Sequence, residues 1–312
     1  MPIKHSYNRR WRLRDEAYSR WSREWISLIA EIAKTGQSLA HKDRRSGRSK
    51  LEPWQYVVLA AVREKEGLRY RELPAVAERL FGIRVHYTAI HKGIKRNGDL
   101  VALTASLTAL LGGEAEELVV DSTKFSLDHH QLVEGKRRRL TVKLVAGWDP
   151  LTHMFHVLVV AKGEVNDSRL LEPLTAQLFF KPRKLYADRG FFSRRNVELL
   201  ASLGITPVIR PKRNATPRAK GCPAYRRLVR RYLELGYRAW AKETGYAKRF
   251  PEEHAFSNLI VKHDDWIRAR SIGGASSLVY ARVLLHNAYV LKVIEAEGIG
   301  KPQIQALMAY AR

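Results

Sequence analysis

The sequence predicts a mixed α/β protein, a sheet with flanking helices preceded by an all-helical region. Three observations carry that expectation. Apolar residues recur at helical spacing through residues 51–112, and from residue 113 the period shortens to that of strands. Three strand-like runs then follow one another across short turns before helix and strand alternate. Finally, Asp121 in ELVVDSTKF and Asp188 in KLYADRGFF each close an apolar run, where a strand leaves a sheet at its carboxyl edge.

Residues 1–50 read as a basic arm in which Trp11, Trp21 and Trp25 alternate with arginines. Trp21, Trp25, Ile26, Ile29 and Ile32 recur at helical spacing, which makes a core-facing stripe, with base stacking as the competing use. HKDRRSGRSK closes the arm as a linker. Leu51 to Val62 form an apolar-periodic helix. A helix with Val76, Ala77 and Leu80 inside, a turn at Phe81-Gly82 and a second helix from about His86 to Arg96 then match a helix-turn-helix. An ordinary helical hairpin shares that layout. If it reads DNA, the basic second helix presents His91, Lys92, Lys95 and Arg96.

Leu118–Leu127, Arg139–Trp148 and Met154–Ala161 read as an antiparallel meander, with Asp149-Pro150 as a turn. Ser168–Phe179 reads as an amphipathic helix, Lys184–Ala187 as a fourth strand, Ser193–Leu203 as a helix stopped by Gly204, and Ile205–Ile209 as a fifth strand. Three strands, then helix, strand, helix, strand and helix, is the ribonuclease-H-like plan. The division expected is 1–50 arm and linker, 51–112 DNA-binding region, and 113–312 catalytic domain with a basic helical insertion at about 212–245.

Composition narrows the partners. With 56 Lys+Arg against 31 Asp+Glu, the net charge of +25 points to a polyanion, and nucleic acid is the commonest one. The excess is clustered: residues 181–249 hold 19 basic against 4 acidic side chains, which argues against a merely basic surface. No run of 18 apolar residues and no apolar signal core appear, so no membrane partner is expected. The single cysteine, Cys222, excludes an internal disulfide and a multi-cysteine zinc site, and reads as a loop thiol. A reducing, cytoplasmic, nucleoid-associated setting is the expectation.

The chemistry rests on the acids. Two carboxylates from neighbouring strands cannot both stay ionised without a shared proton or cation. Phosphodiester cleavage uses two metal ions about 3.5–4 Å apart, and hard divalent ions take oxygen ligands. A third acid is expected from a helix after the fifth strand, where KRFPEEHAFSNLI offers Glu252 and Glu253. Helical geometry does not separate those two. Asp149 reads as a turn residue, Asp128, Glu134, His129 and His130 as a solvated hairpin loop, and Asp167 with Ser168 as a helix cap. Arg226, Arg227, Arg230 and Arg231 recur at i and i+4, lining a helical face that is either solvated or grips phosphates.

The chain resembles the DDE transposases of bacterial and archaeal insertion sequences that carry a Tyr-x2-Arg-x3-Glu segment. Tyr246, Arg249 and Glu253 stand at that spacing. Asp121-Ser122-Thr123, a basic hairpin, Asn166-Asp167-Ser168, Ala187-Asp188-Arg189-Gly190-Phe191, Pro207–Pro211 and Leu285-His286-Asn287 follow the family's order across roughly residues 117–292. The resemblance implies Asp121, Asp188 and Glu253 as catalytic metal ligands for two Mg2+ or Mn2+ ions. It further implies Tyr246 and Arg249 on DNA, cutting and joining of double-stranded DNA at element ends and target, and a homodimer or higher oligomer on DNA. A host-adopted nuclease and a non-catalytic DNA-binding regulator are the alternatives. Two features depart from the family pattern. A lysine is often found seven residues after the glutamate, where this chain has Ile260, and Pro251 intervenes between Arg249 and Glu253. Because proline is tolerated only in a first helical turn, Tyr246 and Arg249 are expected on a turn ahead of the glutamate's helix.

Overall fold

The computed structural model describes residues 3–40, 49–133, 136–218, 220–249, 256, 259 and 265–297. Helix α1 (Ile3–Leu39) is far longer than a partly helical arm. The stripe read from its sequence faces inward: Trp21, Trp25, Ile29 and Ile32 are buried. At Gly36 the helix backbone comes close to Leu100 and Leu107. The segment expected as an arm is thus a wall of the core.

Helix α2 (Pro53–Glu66) starts with proline at its first position and a reciprocal Glu52/Gln55 capping box, and ends on Gly67 at φ 66°. Next come α3 (Leu73–Phe81), a left-handed Gly82, α4 (Tyr87–Arg96) and α5 (Gly98–Leu111). Gly93 lets α4 lie against α2, since a Cβ there would sit 2.1 Å from the Tyr56 ring.

The sheet comprises β1 (Glu117–Val133), β2 (Lys136–Trp148), β3 (Phe155–Lys162), β4 (Lys184–Ala187), β5 (Thr206–Ile209) and the short β6 (Trp266–Ile267). Its order is β3-β2-β1-β4-β5, with β6 beside β1. The first three strands are antiparallel, while β1, β4 and β5 run parallel. That order and those senses are the ribonuclease-H-like arrangement the element pattern predicted. β1 and β2 run further than expected, continuing as a two-stranded ribbon, so Asp128, His129 and His130 belong to a strand and not to a loop.

Strand alternation divides the core. Val119, Phe125 and Tyr186 join the large core that also holds the N-terminal helices, whereas Val120, Leu185 and Ala187 face a smaller one. The smaller core is covered by α6 (Leu171–Thr175), α7 (Arg194–Ser202) and the start of α8 (Pro223–Thr244). The helix expected over 168–179 is only a 3-10 turn, Asp167–Arg169, followed by the five residues of α6. Pro173 has no N–H to donate to the preceding turn, and Pro182 keeps the following chain extended.

Helix α9 (Ile272–Glu297) joins the two halves. Asn287 Nδ2 donates to Ala105 O of α5 (2.9 Å) and Phe155 O of β3 (2.8 Å), and its Oδ1 accepts from Phe155 N–H (2.9 Å). The helix is long and apolar enough to cross a membrane, but most of it is buried in the protein and it carries Arg282 and Lys292.

Candidate active site

Val120 and Ala187 are the last paired residues of the parallel β1–β4 ladder, and Asp121 and Asp188 come next on each strand. Alternation then puts both aspartates on the face of Val119 and Tyr186, themselves register partners. A four-residue strand, Lys184–Ala187, followed by Asp-Arg-Gly therefore brings Asp188 level with Asp121 on the neighbouring strand. Local hydrogen bonds orient each: Asp121 Oδ1 accepts from Ser122 N–H (2.8 Å), and Asp188 Oδ1 from Gly190 N–H (2.6 Å). Both residues are partly exposed at the sheet edge.

Space at Gly190 is tight. A Cβ there would lie 2.9 Å from Asp188 Oδ1 and 3.3 Å from Asp167 Oδ2. Asp167 is itself held by the buried Lys143, whose Nζ is 2.5 Å from Asp167 Oδ1 and 2.7 Å from Val165 O. The cap assigned to Asp167 from sequence is made instead by Asn166, whose Oδ1 accepts from Ser168 N–H (3.0 Å). Asp167 stands next to Asp188, a neighbour that sequence spacing alone did not reveal.

Tyr246–Arg249 form a 3-10 turn, as Pro251 led us to expect. The turn is tied to both aspartate strands. Tyr246 OH donates to Ala187 O (3.3 Å), Arg249 Nη1 donates to Tyr246 OH (3.1 Å), and Arg249 Nη2 lies 3.8 Å from Asp121 Oδ2. Lys248 Nζ donates to Glu117 Oε2 (2.6 Å), on β1 four residues before Asp121. Tyr246, expected on DNA, is 3% exposed: the ring packs on Trp240 and its hydroxyl holds the backbone behind Asp188. Burial raises its pKa. Arg249 lies beside Asp121 and is partly exposed.

Glu117 completes this frame. It is 5% exposed and accepts from Lys248, from Arg183 Nη2 (2.6 Å) and from Tyr186 OH (3.1 Å). Burial alone would raise its pKa, but the hydrogen bonds from Lys248 and Tyr186, with the charges of Lys248 and Arg183, hold it below the ordinary carboxylate value. Sequence reading missed Glu117; its only signal was an acid opening an apolar strand.

The third acid, Glu253, and its competitor Glu252 lie outside the described residues, as do Pro251, Ile260 and Glu134. Phe256 and Leu259 are buried, Phe256 against Trp148 and Phe155, in the core on the aspartates' face of the sheet. Among the described residues no three Asp, Glu, His or Cys side chains group closely enough to hold a metal. The described donors, two hard carboxylates on adjacent strands, fit a divalent ion in chemistry.

The basic residues fall in two places. On α4, His91, Lys92, Lys95 and Arg96 are exposed while Ile90, Gly93 and Ile94 are buried. On α8, Arg226, Arg227, Arg230 and Arg231 are exposed. The helix breaks at Gly236 (φ 69°, ψ 171°), and Arg231 pairs back across the break with Glu243. Asp149 is the turn residue expected, with Oδ1 accepting from Leu151 N–H (2.9 Å) and Oδ2 from the Thr152 hydroxyl (3.0 Å). Cys222 is a free, half-buried thiol at the start of α8.

A ribonuclease-H-like sheet with paired aspartates at its carboxyl edge defines the class of fold on which DDE enzymes are built. The chain belongs to the transposase DDE domain family, whose match covers residues 112–288. Members of that family generally use divalent metal ions. Among solved structures, the cryo-EM structure of a piggyBac transposase synaptic complex with hairpin DNA matches at 9% identity and a TM-score of 0.38, over 93% of this chain and 77% of that one. A likeness so slight has no bearing on function. No curated protein matches the chain.

Proposed function

We propose that the protein binds the ends of a mobile DNA element and performs the strand cleavage and strand transfer of its transposition. The observation that carries this reading is the placement of Asp121 and Asp188 one step past the Val120–Ala187 register pair. Asp121, Asp188 and Glu253 would hold two Mg2+ or Mn2+ ions. Such ions activate the attacking oxygen and stabilise the leaving one. The chain's own part is orientation: Ser122 and Gly190 N–H groups fix one oxygen of each aspartate, and Arg249 balances charge at Asp121. Basic residues of α4 are proposed to read element ends, and Arg226, Arg227 and Arg230 of α8 to hold phosphates. A homodimer or higher oligomer would hold two ends together, in a cytoplasmic, nucleoid-associated setting.

Cleavage of end DNA in Mg2+ tests the reading. Asp121→Asn and Asp188→Asn should each lower the rate about 1,000-fold or more, because an amide cannot neutralise a divalent ion. Cleavage within tenfold of the parent by either variant would remove that residue from the site. Glu253→Gln should likewise abolish cleavage and Glu252→Gln should spare it. The reverse outcome would move the third acid by one position.

A further inference from the structure

β1 and β2 outrun the sheet. β4 pairs only with residues 117–120 of β1, β6 only with Ser126 and Leu127, and β3 only with residues 142–148 of β2. Beyond these, His130↔Arg139, Gln131↔Arg138, Leu132↔Arg137 and Val133↔Lys136 pair as a two-stranded ribbon. Its root is braced: Ser126 N–H donates to Asp265 O (2.9 Å), and the Arg139 guanidinium stacks 4.0 Å from the Trp266 ring. Asp128, His129, His130 and Arg139 are exposed.

Direction and charge say what the ribbon meets. β1 runs parallel to β4, so the ribbon projects from the edge that carries Asp121 and Asp188. Nine residues separate Asp121 from His130, about 30 Å of strand at about 3.3 Å per residue. One turn of duplex DNA spans about 34 Å. Lys136, Arg137, Arg138 and Arg139 are consecutive, against one acid, Asp128, in the described ribbon. A two-stranded ribbon is also of a width that the major groove admits.

We infer that this ribbon is a DNA-contacting arm that engages the duplex about one helical turn from the acids. The inference rests on the proposed function, since the acids mark where DNA is cut. It gives the protein a grip on DNA separate from α4 and α8, sequence-blind and fixed in distance from the cut.

The test uses the full chain without divalent metal and a duplex of about three helical turns. DNA affinity is measured against KCl concentration for the parent and for a Lys136→Ala/Arg137→Ala/Arg138→Ala variant, with thermal melting as a folding control. The expected result is a log–log salt slope shallower by about 0.9 for each lost contact, and loss of a hydroxyl-radical footprint about one turn from the cut. A second variant, Arg137→Lys/Arg138→Lys, should keep the parent slope, because charge alone is required. An unchanged slope in the alanine variant overturns the inference while leaving the proposed function standing. So does an unchanged slope with loss of self-association, which would make the ribbon a contact with a second copy. Failure of the parent to bind DNA overturns both.

Discussion

Two carboxylates on β1, four residues apart, have opposite fates. Glu117 is 5% exposed and takes hydrogen bonds of 2.6–3.1 Å from Lys248, Arg183 and Tyr186. Asp121 is partly exposed, is oriented by a backbone N–H, and meets Arg249 at the looser distance of 3.8 Å. Glu117's charge is committed to holding strands and the Tyr246–Arg249 turn together. Asp121's charge stands beside a second carboxylate at an open edge. Acids of one strand are thus sorted into a buried one held by three donors and a partly exposed one at the sheet edge, and an apolar run with an acid at either end does not by itself say which is which.

The sharpest way to break this comparison is to neutralise each acid and read both cleavage and stability. Asp121→Asn should remove nearly all cleavage with little change in melting temperature. Next in size is Gly190→Ala, whose Cβ would meet Asp188 Oδ1 at 2.9 Å. Displacing that oxygen should lower Mg2+-dependent cleavage about tenfold, or about 1.4 kcal/mol, with little loss of global stability; parent-like cleavage would show that Asp188 tolerates the shift.

Glu117→Gln should act in the opposite sense, lowering stability by about 1–2 kcal/mol and cleavage less. Charge-assisted hydrogen bonds are worth about 1.5–3 kcal/mol, discounted because Lys248 and Arg183 are half exposed. The smallest effect is on pH. The folded-state pKa of Glu117 is depressed, so its contribution is fully present above the unfolded glutamate value, near 4.3. It is lost as pH falls below that value through the folded one. The glutamine variant should therefore lose stability less steeply than the parent in that acid window; parallel curves would deny Glu117 its charged role.

Much of this was legible in the sequence where local pattern decides structure. Lys184–Ala187 forms β4 as read, because an apolar run bounded by Pro182 and Asp188 has few other options. The α3–Gly82–α4 hairpin followed from periodicity and a left-handed glycine. The paired aspartates followed from strand ends. What remained hidden depends on partners far away in the chain. Nothing local says that Lys143 will hold Asp167 across 24 residues, or Lys248 hold Glu117 across 131. That Tyr246 would be buried was hidden, because its motif spacing carries no information about burial. Helical periodicity likewise does not reveal the break at Gly236 that lets Glu243 pair with Arg231. Residues 1–50 looked like an arm because nothing local shows that their stripe packs on α2, α5 and α9.

That partnership has a consequence for the order in which the molecule can be made. Trp21 of α1 packs on Tyr289 of α9, and Glu24 pairs with Lys292. Asn287 closes the backbone of α5. During synthesis α1, α2 and α5 emerge long before α9, so the parts of their inward faces that α9 covers wait for almost the whole chain. The N-terminal helices therefore reach their final setting only once the sheet that bears Asp121 and Asp188 has been translated, so the two halves of the molecule are completed together.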